Sequence, residues 1–168
     1  LTLEPAVEGE GEWLNTSIFV FRPSQPLLGG QKYTGTIKAG LQDTTGGLLK
    51  DDFVWSFDTA APTVVTTDPF NGATGIALTR PISITFNQLM DHSSTEAAFA
   101  LTAPDGGAAP GSFRWSEDGL TLGFVPSGLA LGTTYTARMG ASALSANGGA
   151  ALSQPYDFTF QTVLTPGI

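Results

Sequence analysis

Cysteine is absent from the 168 residues, so neither a disulfide framework nor thiol chemistry is available to this chain. Histidine occurs once, at His92, and zinc, which needs three or four imidazole or thiolate ligands, has no conventional site here. Basic residues are few: 7 Lys and Arg stand against 15 Asp and Glu, a formal net charge of −8. That balance argues against nucleic acid as a partner, because neutralising phosphates demands clustered cations. No run of apolar residues reaches membrane-spanning length and no basic-then-apolar start is present, so no membrane insertion is expected within this stretch. Any export signal or anchor is expected outside it.

Catalytic signatures are equally sparse. His92 lies between Asp91 and Ser93, but sequence neighbours on one turn diverge, and a triad needs groups that converge on an oxyanion hole. No Gly-x-Ser-x-Gly elbow accompanies it. The acids are scattered through Glu4, Glu8, Glu10, Glu12, Asp51, Asp52, Asp68, Asp91, Asp105, Glu117 and Asp118, without the alternating Asp-x-Asp-x-Asp-Gly loop that coordinates calcium. Paired carboxylates that hydrolyse glycosides could be drawn from Asp91, Asp105, Glu117 and Asp118, yet all four fall in expected turns. Catalytic, cofactor and metal residues are therefore all expected to be none, and the chain is expected not to be an enzyme.

What the chain does contain is a copy of itself. Phe21-Arg22-Pro23-Ser24 recurs as Phe124-Val125-Pro126-Ser127, Trp13 as Trp115, Leu28-Gly29 as Leu131-Gly132, Tyr33 as Tyr135, and Phe57-Asp58-Thr59 as Phe160-Gln161-Thr162. The offset is 103 residues from Phe21 to Phe124 and from Phe57 to Phe160, and 102 from Tyr33 to Tyr135. A period near a hundred residues means tandem domains of one fold rather than a solenoid. Nothing before Leu1 corresponds to Pro62–Phe99, so residues 1–60 are expected to be the C-terminal part of a first domain and 61–168 a complete second one. A short Pro-containing connection, Thr59–Thr63, predicts limited flexing between them.

Apolar residues alternate with polar ones through Ile82–Phe86, Leu120–Phe124, Tyr135–Met139 and Tyr156–Phe160, with Gly, Pro, Asn and Asp between the runs. Shorter runs at Val64–Thr66, Phe99–Thr102 and Phe113–Trp115 bring the second unit to about seven strands, as an immunoglobulin-like sandwich needs. The first unit's strands are expected near Leu1–Leu3, Glu12–Trp13, Ser17–Phe21, Tyr33–Lys38 and Phe53–Phe57. One short helical turn is predicted over Asp91–Phe99, capped by Ser93 or Ser94, with Glu96 closing a capping box on Ser93. The pairs Gly29-Gly30, Gly46-Gly47, Gly106-Gly107 and Gly148-Gly149 are read as hairpin turns, since none precedes a Walker lysine. Trp13, Trp55 and Trp115 are assigned to a packed interior, because aromatic character returns at matching positions of both units. Tyr33 and Tyr135, each following Leu-Gly at a strand start, are read as tyrosine corners.

These residues carry a resemblance. Asp68-Pro69-Phe70-Asn71-Gly72-Ala73, then Pro81-Ile82-Ser83-Ile84-Thr85-Phe86-Asn87-Gln88-Leu89-Met90-Asp91, resembles the bacterial Ig-like domain of the S-layer type, with Leu89 standing where that family usually has proline. Leu120–Pro126 and Leu131–Tyr135 match its second half. Pro26–Tyr33 with Ala39–Asp43 is similar to Ig-like segments of bacterial alpha-2-macroglobulin-like proteins, whose thioester Cys-Gly-Glu-Gln this chain lacks. The resemblance implies tandem all-β immunoglobulin-like sandwiches, the first truncated at its N-terminus. It further implies a non-catalytic spacer or stalk of an exported, extracellular or cell-surface bacterial protein. The partners to expect are neighbouring domains of the parent protein and a further protein, with no cofactor. The competing expectation is a carbohydrate- or calcium-binding accessory domain of a secreted enzyme, which an exposed aromatic cluster or three convergent carboxylates would favour.

Overall fold

The computed structural model describes residues 1–146 and 149–164. The chain divides into two compact units, Leu1–Ala60 and Ala61–Ile168. Both are built mainly from antiparallel strands whose turns fall at the Gly and Pro clusters of the sequence. Gly30, Gly46 and Gly106 hold φ of 64°, 92° and 83°, which only glycine adopts without strain. Gly148, expected in a fourth such turn, lies outside the described residues.

The second unit runs β6 (Val64–Asp68), β7 (Ala73–Ile76), β8 (Ile82–Phe86), α1 (His92–Ala98), β9 (Phe99–Thr102), β10 (Gly111–Trp115), β11 (Thr121–Pro126), β12 (Thr134–Met139) and β13 (Tyr156–Thr162). Two four-stranded sheets result, ordered β10-β11-β8-β6 and β7-β13-β12-β9. Alternation decides which side chains meet. Ile82, Ile84 and Phe86 of β8 with Leu122 and Phe124 of β11 pack against Tyr135, Ala137 and Met139 of β12 with Phe158 and Phe160 of β13. Burying each of these large side chains contributes roughly 1.5–3 kcal/mol, enough to hold a sandwich without disulfides.

Two local expectations are corrected here. Ala73–Ile76 is a strand, β7, paired in parallel with β13, so the second unit has eight strands where about seven were counted. Its four residues include Thr74 and Gly75 and follow Asn71-Gly72, so turn chemistry hides the strand in the sequence. The helix cap is Asp91, not a serine: its carboxylate accepts from the Ser94 N–H at 2.8 Å and the Ser93 hydroxyl at 3.0 Å. Glu96 is taken elsewhere, accepting from the Trp115 indole Nε1–H at 2.9 Å.

The first unit runs β1 (Thr2–Glu4), β2 (Gly9–Trp13), β3 (Phe19–Pro23), β4 (Lys32–Ile37) and β5 (Phe53–Asp58). Its sheets are ordered β1-β4-β5 and β2-β3. Registers identify the equivalents: Trp13 pairs with Phe19 as Trp115 pairs with Leu122, and Tyr33 pairs with Phe57 as Tyr135 pairs with Phe160. Thus β1 to β5 correspond to β9 to β13. Nothing among the described residues of the first unit corresponds to β6, β7, β8 or α1.

Candidate functional site

The best-defined polar arrangement in this chain occurs twice. The Tyr33 hydroxyl accepts from the Leu28 N–H at 3.1 Å, and the Tyr135 hydroxyl accepts from the Ala130 N–H at 2.9 Å. Each phenol ring stacks on the phenylalanine opposite it, with centroids 5.6 Å apart for Tyr33 and Phe57 and 5.9 Å for Tyr135 and Phe160. A threonine at the end of the last strand closes the loop. Thr59 Oγ1 accepts from the Gln31 N–H at 2.9 Å and donates to the Leu28 carbonyl at 2.5 Å. Thr162 Oγ1 accepts from the Thr133 N–H at 3.0 Å and donates to the Ala130 carbonyl at 2.7 Å. The Tyr33 and Tyr135 corners are therefore as the sequence predicts, while the role of the threonines went unread although both belong to the repeat. A third shared feature sits on the hairpins: a Cβ at Gly9 would run into the Phe21 ring and the Arg22 carbonyl, and one at Gly111 into the Phe124 ring and the Val125 carbonyl.

The two units differ in what covers this framework. In the second, α1 lies over β10: the His92 ring stacks on the Trp115 indole at 4.0 Å with 7° between planes, and Glu96 takes the indole N–H. Phe160 is 1% exposed and Ala143 is fully buried. In the first, Phe57, equivalent to Phe160, is 36% exposed, Leu41, near the equivalent of Ala143, is 45% exposed, and Trp13 is 56% exposed. Trp13 packs edge-on against Phe19, with centroids 5.4 Å apart, and lines an opening of about 820 Å³ with Leu41, Leu48 and Leu49. The assignment of all three tryptophans to a packed interior is thus corrected for Trp13, because among the described residues the elements that cover Trp115 have no counterpart around it. Repetition reports the shared framework and carries no information about what covers it.

Of the four acids considered for acid–base chemistry, three, Asp91, Asp105 and Asp118, accept hydrogen bonds from neighbouring turn or cap groups. Asp118 accepts from the Ser116 hydroxyl at 2.5 Å and the Leu120 N–H at 3.0 Å; Asp105 accepts from the Gly107 N–H at 2.9 Å. Asp91 caps α1, and its carboxyl is held below the ordinary aspartate value chiefly by the Ser94 N–H, then by the Ser94 and Ser93 hydroxyls. Asp43 is likewise held low, by the Thr45 hydroxyl first and the Gly47 and Thr45 N–H groups after it. A carboxyl with a depressed pKa is a poor proton donor near neutrality. Among the described residues no three Asp, Glu or His side chains come together as a metal site would require, and no helix is long and apolar enough to cross a membrane.

Asn71 shows why the resemblance motif is where it is. Its Oδ1 accepts from the Thr159 N–H at 2.9 Å and Gly72, at φ 84°, donates its N–H to the Thr159 carbonyl at 2.7 Å, so the Asn-Gly turn is hydrogen-bonded to β13 just before β7. In Leu89-Met90-Asp91, Met90 is buried in the core and Asp91 caps the helix. Two sandwiches built on one repeated framework define a class of tandem immunoglobulin-like module. The model of the bacterial Ig-like domain matches residues 3–59 and again 58–162, and the chain belongs to that family, whose members are generally non-catalytic. No curated protein sequence matches it. Among solved structures, the S-layer protein SbsC is similar at 22% identity over 61% of this chain and 14% of its own, with a TM-score of 0.45. Native alpha-2-macroglobulin of Escherichia coli is similar at 15% identity over 62% of this chain and 32% of its own, with a TM-score of 0.47. The LD transpeptidase LdtMt1 is similar at 19% identity over 61% and 40%, with a TM-score of 0.44. The chain therefore spans less than half the length of each.

Proposed function

We propose that this chain is a non-catalytic spacer and interaction module of an exported bacterial surface protein. Residues 1–60 serve as the C-terminal part of one Ig-like domain and 61–168 as a whole second one. Its partners are the neighbouring domains of the parent polypeptide and a further protein, and the parent is of the S-layer or alpha-2-macroglobulin-like kind. The observation that carries this is the doubled Tyr–Thr corner. Both units hold the same loop through the same two side-chain hydroxyls, and all four hydroxyls are spent on backbone hydrogen bonds rather than left for a substrate. The test is brief protease treatment of intact cells making the parent protein, followed by antibody detection of residues 61–168. Loss of the signal from intact cells is expected; a signal lost only after lysis would place the protein inside and end the proposal.

One observation favours the second reading, a carbohydrate-binding accessory domain: Trp13 and Phe19 form an exposed aromatic pair, and flat apolar faces suit sugar rings. The spacer is preferred because Trp115, the equivalent residue, is covered by the second unit's own helix. Exposure of Trp13 then follows from absent cover and needs no sugar. Electrophoresis through gels containing bacterial cell-wall glycan separates the two, with no retardation expected for a spacer.

A further inference from the structure

The turn that leads into β7 joins an asparagine to a glycine, Asn71-Gly72, and this pair is chemically labile. With no side chain on the second residue, its nitrogen is unhindered in attacking the asparagine side chain. Both residues are exposed, and a Cβ placed on Gly72 would meet nothing within 4 Å, so neither burial nor a neighbouring side chain shields the bond. What holds the pair from reacting is hydrogen bonding. The Gly72 N–H, whose nitrogen would attack, is donated to the Thr159 carbonyl at 2.7 Å. Asn71 Oδ1, on the carbon that would be attacked, accepts from the Thr159 N–H at 2.9 Å. Nucleophile and electrophile are thus clamped to the same residue of β13.

The clamp is as firm as β7. That strand has four residues, lies at the edge of its sheet, pairs with β13 in a broken register, and is anchored to the core by Ala73 and Ile76. Short edge strands open locally without unfolding the domain. We propose that Asn71-Gly72 is a masked deamidation site whose modification releases β7 from β13 irreversibly. When β7 opens, the Gly72 nitrogen loses its proton and bonds to the Asn71 Cγ. The Cγ–Nδ2 bond breaks, and ammonia leaves with a proton in place of the one lost. Water then opens the succinimide ring at either carbonyl, giving aspartate or isoaspartate. Isoaspartate lengthens the main chain between residues 71 and 72, so the turn no longer presents both groups to Thr159. The β13 edge that β7 covered is left open.

The test is peptide mapping by mass spectrometry on the full 168-residue protein kept in mild alkali for several days, beside a synthetic peptide of residues 66–76. Asn71 in the folded chain is expected to convert at least about tenfold more slowly than in the peptide, because only the opened fraction reacts. Ile76→Ser removes one apolar anchor of β7 and should speed conversion at least about threefold. Continued protection of the Ala130 amide under Tyr135 shows that the sandwich itself stays folded in that variant. Should the variant unfold, the parent chain in denaturant below its unfolding transition takes its place, with the same acceleration expected. In the isoaspartate form, separated from the parent by charge, the amides of Thr159 and of Val163, which donates to the Ile76 carbonyl, should exchange quickly while Ala130 stays slow. Three results would overturn the proposal: conversion as fast in the folded chain as in the peptide, no acceleration when β7 is loosened, or slow exchange at Thr159 and Val163 after modification.

Discussion

Taking one oxygen from Tyr135 leaves the Ala130 N–H without its acceptor in a buried corner. Tyr135→Phe is therefore expected to lower the stability of the second unit by about 1 kcal/mol in denaturant melts. Thr162→Val should cost a similar amount, and the double variant less than the sum, because both residues hold the same loop. Additive losses would mean the two hydroxyls act independently. The opposite sign is expected at Thr95, whose Oγ1 is fully buried without a hydrogen-bond partner. Thr95→Val keeps the shape and removes the desolvated hydroxyl, so the melting temperature should rise, by an amount equivalent to about 1 kcal/mol. At this scale the sequence was informative wherever repetition and local chemistry agreed. Tyr33 and Tyr135 were legible from the Leu-Gly pair separated from each by two or three residues, while Thr59 and Thr162 were not, since threonine is common at strand ends and its partners are loop backbone groups about thirty residues away in sequence.

The helix α1 depends on its cap. Asp91 is held below 3.8, the ordinary aspartate value, so the folded state binds its proton less readily than the unfolded chain does. Its contribution is full above that value and is lost as pH falls through the lower folded one. Asp43, Asp52 and Asp118 are shifted the same way, so acid should destabilise both units. Asp91→Asn keeps an acceptor at the cap but removes the titration; the drop in melting temperature between about pH 6 and about pH 2.5 should be smaller than in the parent chain. An unchanged drop would show that this carboxylate is not part of the acid response. Gly111 is a second such point: Gly111→Ala drives a methyl into the Phe124 ring and the Val125 carbonyl and should cost about 1–3 kcal/mol. Strand positions followed from alternation except at β7, where a short edge strand offers no alternation to read. The helix was legible but its cap was misassigned, because Asp91, Ser93 and Ser94 all carry capping chemistry and only the backbone decides among them.

For the molecule as a whole, the tandem organisation came from one repeat, and the family from the residues between its halves. That the first unit lacks part of the second was read from the repeat, but the exposure of Trp13 was not, since its burial depends on elements that the repeat does not contain. With no three Asp, Glu or His side chains brought together among the described residues, melts in chelator and in millimolar calcium should coincide. A tight site would add about 2.7 kcal/mol at a hundredfold excess over its dissociation constant, a shift too large to miss. The central claim is that one framework is present twice, covered in the second unit and open in the first. Residue-resolved amide exchange on the whole chain tests it most directly. The account predicts slow exchange at both Leu28 and Ala130, slow exchange along residues 121–124 of β11 on both edges, and free exchange at those amides of residues 18–21 that face away from β2. Equal protection of the two strands, or loss of protection at Leu28 alone, would contradict it.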